Sequence, residues 1–224
     1  MLVSIAPGVW DCTAPLTVAG MHLGHRMTVA QLSSGGLWLH SPIAYSENLA
    51  RALAKLGSVQ QIVAPNCMHD TYLEGWFAAF PTIRYHGAPG LAQTRPDLPF
   101  TDTLSDHGAP EWSDLLDQHV VRGMPRINEV VFLHRNTGTL IITDLAFNLG
   151  PEMPFLSRVL LRLNDCYCTF GPSRLLKSAI KDRTALRSSL QTILAWDFDR
   201  IVLSHGENIL HEGKSRLRDA FAFL

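Results

Sequence analysis

The feature that most narrows the fold is a short apolar run, "LWLHSP", followed by a stretch with helical apolar spacing, "SENLARALAKLG", and then a second apolar run, "VQQIVAP". Strand, helix, strand is the local unit of an α/β fold. The borders agree with that reading. Ser46 can cap the helix N-terminus, and Gly57 stands where a left-handed residue would close its C-terminal end.

The same alternation continues. "MTVAQL" reads as a strand ahead of this unit, "TYLEGWFAAFP" as a short amphipathic helix stopped by Pro81, and "TIRYHGA" as another brief strand. A proline- and glycine-rich segment, "PGLAQTRPDLPFTDTLSDHGAPEW", forms a long excursion that either folds over a pocket or covers a sheet edge. "NEVVFLHRNTGTLIITDLAFN" is a hairpin of two β-rich runs whose glycine can take positive φ. A mixed segment with "GPS" as a break precedes a helix in "DRTALRSSLQTILAWD", a strand in "RIVLSHG" and a final helix in "KSRLRDAFAFL". With 224 residues and no internal repeat, the expectation is a single α/β domain over residues 1–224.

Charge balance separates the function classes. The 19 basic and 20 acidic residues give a net charge of -1, so nothing favours nucleic acid or an anionic membrane, and a small-molecule substrate or ligand is the expected partner. The opening "MLVSIAPGVWDC" has neither the basic start nor the long apolar core of a secretory signal, which makes the expected compartment cytoplasmic. Cys12, Cys67, Cys166 and Cys168 are then expected as reduced thiols, and the single-residue spacing of "CYC" fits neither a redox CxxC nor a zinc ribbon. Oligomeric state is not legible.

Three strand ends carry groups of metal-ligand type: "PNCMHD" after "QIVA", Asp144 after "TLIIT", and His205 after "RIVLS". Ligands in open α/β sheets gather beyond strand ends, and borderline cations take imidazole nitrogen together with carboxylate oxygen. Singly, each residue could equally be a turn former, a cap or a hydrogen-bonded histidine. Other motifs are missing: there is no GxGxxG, no GxxxxGK[ST] and no GxSxG elbow.

In this order the three ends resemble the metallo-β-lactamase superfamily, and the phrases "RMTV", "LWLHSPI", "LGSVQQIVAPNCMHD", "FPTIRYHGAPGL", "NEVVFLHRNTGTLIITDLAFN" and "WDFDRIVLSHGENI" resemble the DUF4336 group within it. The resemblance implies an αββα sandwich of two mixed sheets. It also implies metal ligands at His69, Asp144 and His205. The superfamily loop HxHxDH is rewritten here, with Pro65 and Cys67 where its first two histidines belong, and "GMPRINE" offers only Asn128 and Glu129 where another histidine precedes the hairpin. Too few ligands remain for two metals, so the expectation is one divalent ion, zinc first, iron or manganese as alternatives.

A metal held by three protein ligands can keep a water and lower its pKa, and Asp70 would orient that water or act as general base. Asn66 and Glu129 would be the polar partners behind the ligands. His134 is excluded by hairpin geometry: placed opposite Leu140, it lies roughly 13 Å along the strand from Asp144. His40 either faces the same cleft or is a buried, hydrogen-bonded histidine. His22 and His25 read as a surface turn and His211 as part of a linker. The expected function is a metal-dependent hydrolase acting on an ester, thioester, amide or phosphoester. The rivals are a catalytically silent cleft that binds a small molecule or partner, and a thiol-sensitive site at Cys67.

Overall fold

In the computed structural model, which describes residues 1–224, strands of one sheet run β1 (Val3–Ala6), β2 (Val9–Ala14), β3 (His25–Gln31), β4 (Leu37–His40), β5 (Val59–Ala64), β6 (Arg84–Gly87) and β7 (Asp102–Thr103), in that spatial order. The first four pair antiparallel and the last four parallel. A second sheet runs β8 (Leu116–Val120), β9 (Val130–His134), β10 (Thr139–Ile142) and β11 (Arg200–Leu203), with only the β10–β11 pair parallel. No helix is long and apolar enough to cross a membrane.

Period-two alternation sorts the strands into layers. In β4, Leu37 and Leu39 face the outer helices α1 (Glu47–Ala54), α2 (Leu73–Ala79) and α3 (Leu91–Thr94), packing with Leu53, Trp76 and Leu91. Trp38 points the other way, into a core shared with Val130, Phe132 and Ile141 of the second sheet. Val131 and Leu133 of β9 turn outward again. They meet a layer built from α5 (Arg174–Ala179), α6 (Arg183–Ala195) and α7 (Gly213–Ala220), which contribute Leu176, Leu190 and Leu217. Between β10 and α5 in sequence lies α4 (Phe155–Leu163), packed on the small hairpin Thr17–Val18/Met21–His22. The result is an αββα sandwich with three apolar layers. Each fully buried side chain of this size contributes about 1.5–3 kcal/mol.

Several expectations change in detail. Ser46 caps α1 through its hydroxyl, which accepts the Leu49 N–H at 3.2 Å, but Gly57 is not left-handed. Its lack of a side chain serves a close approach instead, since a Cβ there would run into the Gly35 carbonyl. The long excursion covers an edge: within it β7 pairs with β6 and ends the seven-stranded sheet. The hairpin register places His134 opposite Thr139, one residue from the expected partner, and its Nδ1 bonds Thr137 Oγ1 at 2.8 Å, away from the strand ends. The opening "MLVSIAPGVWDC" forms the β1–β2 hairpin, which extends the sheet.

His86 in β6 gives the fold a pH signature. Its Nε2 bonds Gln61 Oε1 at 2.8 Å, and burial, only partly offset by Asp102, pushes its pKa from 6.5 down to about 4. The folded state therefore holds the ring neutral while the unfolded chain protonates it. Stability from this group is complete above pH 6.5 and is lost as pH falls towards about 4, by about 3 kcal/mol. In urea titrations, His86→Gln should lose about 3 kcal/mol less than the parent across that window. An unchanged acid limb contradicts this assignment.

Candidate metal centre

Four parallel strands end at one edge of the sandwich: β4 and β5 of the first sheet, β10 and β11 of the second. Their trailing residues are Ser41, the Pro65–Asp70 loop, Asp144 and His205. The β5 loop is stitched to the second sheet, because the Pro65 carbonyl accepts the Val130 N–H at 2.7 Å and the Cys67 N–H donates to Ile127 at 3.0 Å. Within it, Asn66 Oδ1 accepts the Met68 N–H at 2.8 Å, a side-chain turn that swings His69 inward.

His69, Asp144 and His205 come together, all buried, each offering one donor atom within 4.8 Å of the others. His69 Nε2 lies 3.2 Å from Asp144 Oδ2, and His205 Nε2 lies 3.3 Å from Asp144 Oδ1. The tautomer of His205 follows from its other side. Nδ1 is 2.7 Å from the Gly24 carbonyl, which can only accept, so Nδ1 carries the hydrogen. Nε2 then turns a lone pair towards a carboxylate oxygen, an arrangement that needs a proton or a cation between them. Burial lowers the His205 pKa, but the Asp144 carboxylate and the Gly24 carbonyl outweigh it and the net shift is upward. Burial raises that of Asp144, yet the two imidazoles more than reverse this and hold it well below the usual carboxylate range.

The donor set is supported from behind. Asn66 Nδ2 donates to Asp144 Oδ2 at 2.7 Å and to Thr143 Oγ1 at 2.9 Å. Glu129, wholly buried, accepts the N–H groups of Thr143 and Asp144 at 2.6 and 2.9 Å, fixing the turn that presents the aspartate. Burial and the neighbouring Asp144 charge push the Glu129 pKa up to about 7, against the pull of those two N–H groups. Ser41 Oγ holds His69 Nδ1 at 2.6 Å. The His205 loop is clamped by Arg26, whose Nη1 donates to the carbonyls of Leu203 and Gly206 at 2.5 and 2.6 Å while its Nε sits 2.7 Å from buried Asp11. Gly206 takes φ +95°, and a Cβ there would strike the Asn148 backbone, which explains "HG" at this position.

Asp70 is not brought to the cluster. Its carboxylate is bound by Arg95, which reaches it from the irregular segment after β6, so the expected general base faces away from the strand ends. Cys67 also stays out: burial and Asp70 raise its pKa, and its thiol donates to the Pro89 carbonyl at 3.5 Å. All four cysteines are free. His22 and His211 are exposed, the latter beside Asp199. His40 is buried without a hydrogen-bonding partner on either nitrogen, stacked on Trp38 and edge-on to Phe132, and burial keeps it neutral.

The residue that sequence reading misplaced is His25, which is buried at the site rather than in a surface turn. Its ring centre lies 5.0 Å from that of His69 and 6.0 Å from that of His205. Nε2 donates to the Ser41 carbonyl at 3.0 Å, and burial with the two neighbouring imidazoles drives its pKa down to about 3. A signal existed. β3 runs antiparallel to β4, so its first residue sits at the edge where β4 ends. Above the cluster opens a cavity of about 330 Å³, with His25, His69, Asp144 and His205 at its floor and mainly apolar walls, among them Leu23, Ile127, Phe147 and Leu176.

Comparison with known proteins agrees with this architecture. A metallo-beta-lactamase from Pontibacter korlensis is similar at 16% identity and TM-score 0.66, over 96% of this chain and 95% of that one. One from Erythrobacter litoralis, solved with beta mercaptoethanol in its active site, is similar at 14% identity and TM-score 0.68, over 100% of this chain and 96% of that one. The metallo-beta-lactamase FIM-1 from Pseudomonas aeruginosa, in its mono-zinc form, is similar at 15% identity and TM-score 0.64, over 98% and 94%. No curated protein sequence matches. At such identities the likeness establishes the fold. The family model described as Domain of unknown function (DUF4336) matches residues 8–189, most of the chain. On that match the chain belongs to the DUF4336 family, and its fold is that of the metallo-β-lactamases.

Proposed function

We propose that this protein is a hydrolase that uses one divalent metal ion, zinc before iron or manganese, to direct water onto an ester, thioester, amide or phosphoester. One observation carries the reading. His69 Nε2 faces Asp144 Oδ2 at 3.2 Å and His205 Nε2 faces the other oxygen, Oδ1, at 3.3 Å, so three buried groups of metal-ligand type converge with their donor atoms within 4.8 Å of one another. His205 keeps its hydrogen on Nδ1 against the Gly24 carbonyl, which leaves an Nε2 lone pair aimed at a carboxylate, a pairing that a cation between them would satisfy.

His69 Nε2, Asp144 and His205 Nε2 would hold the ion, which when bound supplies Lewis acidity and a lowered pKa for a water in its open position. The other residues orient these donors. Ser41 and the Gly24 carbonyl fix the two imidazoles, Asn66 fixes one oxygen of Asp144, and the cavity above them has mainly apolar walls. Asp70 leaves the role of base. His25, whose ring stands 5.0 Å from that of His69, would be the polar neighbour of that water, with Nε2–H committed to the Ser41 carbonyl and the ring neutral at pH 7.

A second reading, a silent cleft that binds without turnover, draws support from the loop ahead of β9, where Met124 is buried in the outer core and Asn128 donates to the Pro89 carbonyl. That loop supplies no donor to the cluster. Metal-loaded protein assayed on chromogenic esters, thioesters, amides and phosphoesters separates the two. Turnover that falls at least about 100-fold in a folded His205→Ala variant supports the hydrolase. No turnover on any class, with metal bound, supports the silent cleft.

A further inference from the structure

We propose that the cavity above the cluster takes a short- to medium-chain acyl compound carrying an anionic group, with its chain against the apolar walls and its anion at Arg126. The inference rests on the hydrolase reading for the fate of that compound, where water adds hydroxyl to the carbonyl carbon and the leaving oxygen or sulfur departs with the proton.

Twelve of the twenty lining residues are hydrophobic, and the volume, about 330 Å³, lies at the small end of ligand sites. The apolar lining continues to the mouth, where Val18, Met68 and Leu175 are 46%, 58% and 63% exposed. Three large apolar side chains left in water around one opening mark a surface made to be covered by an apolar group. The polar inventory is sparse and lopsided. Asp144 is the only carboxylate on the lining, and His69, His205 and Asn66 already occupy it. Arg126 is the only lysine or arginine, exposed on the loop ahead of β9, and no carboxylate forms an ion pair with it. A guanidinium beside an apolar wall recognises a carboxylate or phosphate through paired N–H donors.

The test uses chelator-treated protein, so that a carboxylate cannot be held by the metal itself. Calorimetric titration with butanoate, hexanoate and octanoate, and with octanol as the neutral match, reads the two halves of the site. Affinity should rise roughly fourfold per added methylene until the cavity is full. Octanoate should bind roughly tenfold more tightly than octanol. Arg126→Gln should erase the octanoate preference and leave the chain-length dependence, while Ala179→Phe, which fills the cavity, should flatten the latter. Equal binding of octanoate and octanol, no dependence on chain length, or an Arg126→Gln variant with the preference intact overturns the proposal. Because no metal is present, failure of the hydrolase reading leaves this result standing, and hydrolysis without chain-length dependence would sink this proposal alone.

Discussion

Replacing Glu129 with alanine is expected to destabilise the protein by about 4 kcal/mol near pH 5, below the folded Glu129 pKa of about 7 where little buried charge is relieved, since two buried N–H groups lose their acceptor at about 1–3 kcal/mol each and a void remains. For a chain of this size that corresponds to a fall of roughly 8–16 °C in Tm. The argument turns on where Glu129 points. It is wholly buried and spends both oxygens on the backbone of Thr143 and Asp144. The turn it holds is the one that aims Asp144 at His69 and His205, so metal affinity should fall as well, by roughly 10- to 100-fold. Glu129→Gln keeps the volume and one carbonyl acceptor and should lose about half as much stability. Urea unfolding of the metal-free variants decides the point, and a loss below about 1 kcal/mol for Glu129→Ala contradicts this role.

The sequence made the strand ends visible because β-branched runs stop abruptly at polar residues, and parallel strands bring such ends to one edge. His69, Asp144 and His205 were therefore legible from local pattern and family resemblance together, and Glu129 from hairpin register. What escaped was set by distant chain. Nothing local singles out Arg26 in "GHRMTV", because its partners are Asp11 and the carbonyls of Leu203 and Gly206, which no local window contains. Asp70 follows His69 directly, but neighbours in a loop point in different directions, and Arg95 from an irregular segment claims it. His25 hid between glycines that suggested a turn. Ser41, a serine after a histidine at a strand end, carried no signal of its contacts to His25 and His69.

Asp144 is the residue on which the proposed metal centre depends most. It is the one carboxylate of the donor set, both of its oxygens face imidazole nitrogens, and Asn66 and Glu129 serve chiefly to place it. Removing it leaves two neutral imidazoles, too few donors for a structural or catalytic zinc site. Its loss removes the partner of both imidazoles, which can then stay neutral, and Asp144→Ala should bind metal at least about 100-fold more weakly. The most direct measurement is the metal content of protein purified without an affinity metal column, by elemental mass spectrometry, for the parent and for Asp144→Ala. The account predicts about one zinc, iron or manganese per parent chain and none in the folded variant. No metal in the parent, even after incubation with each ion, or equal metal in both proteins, would contradict it.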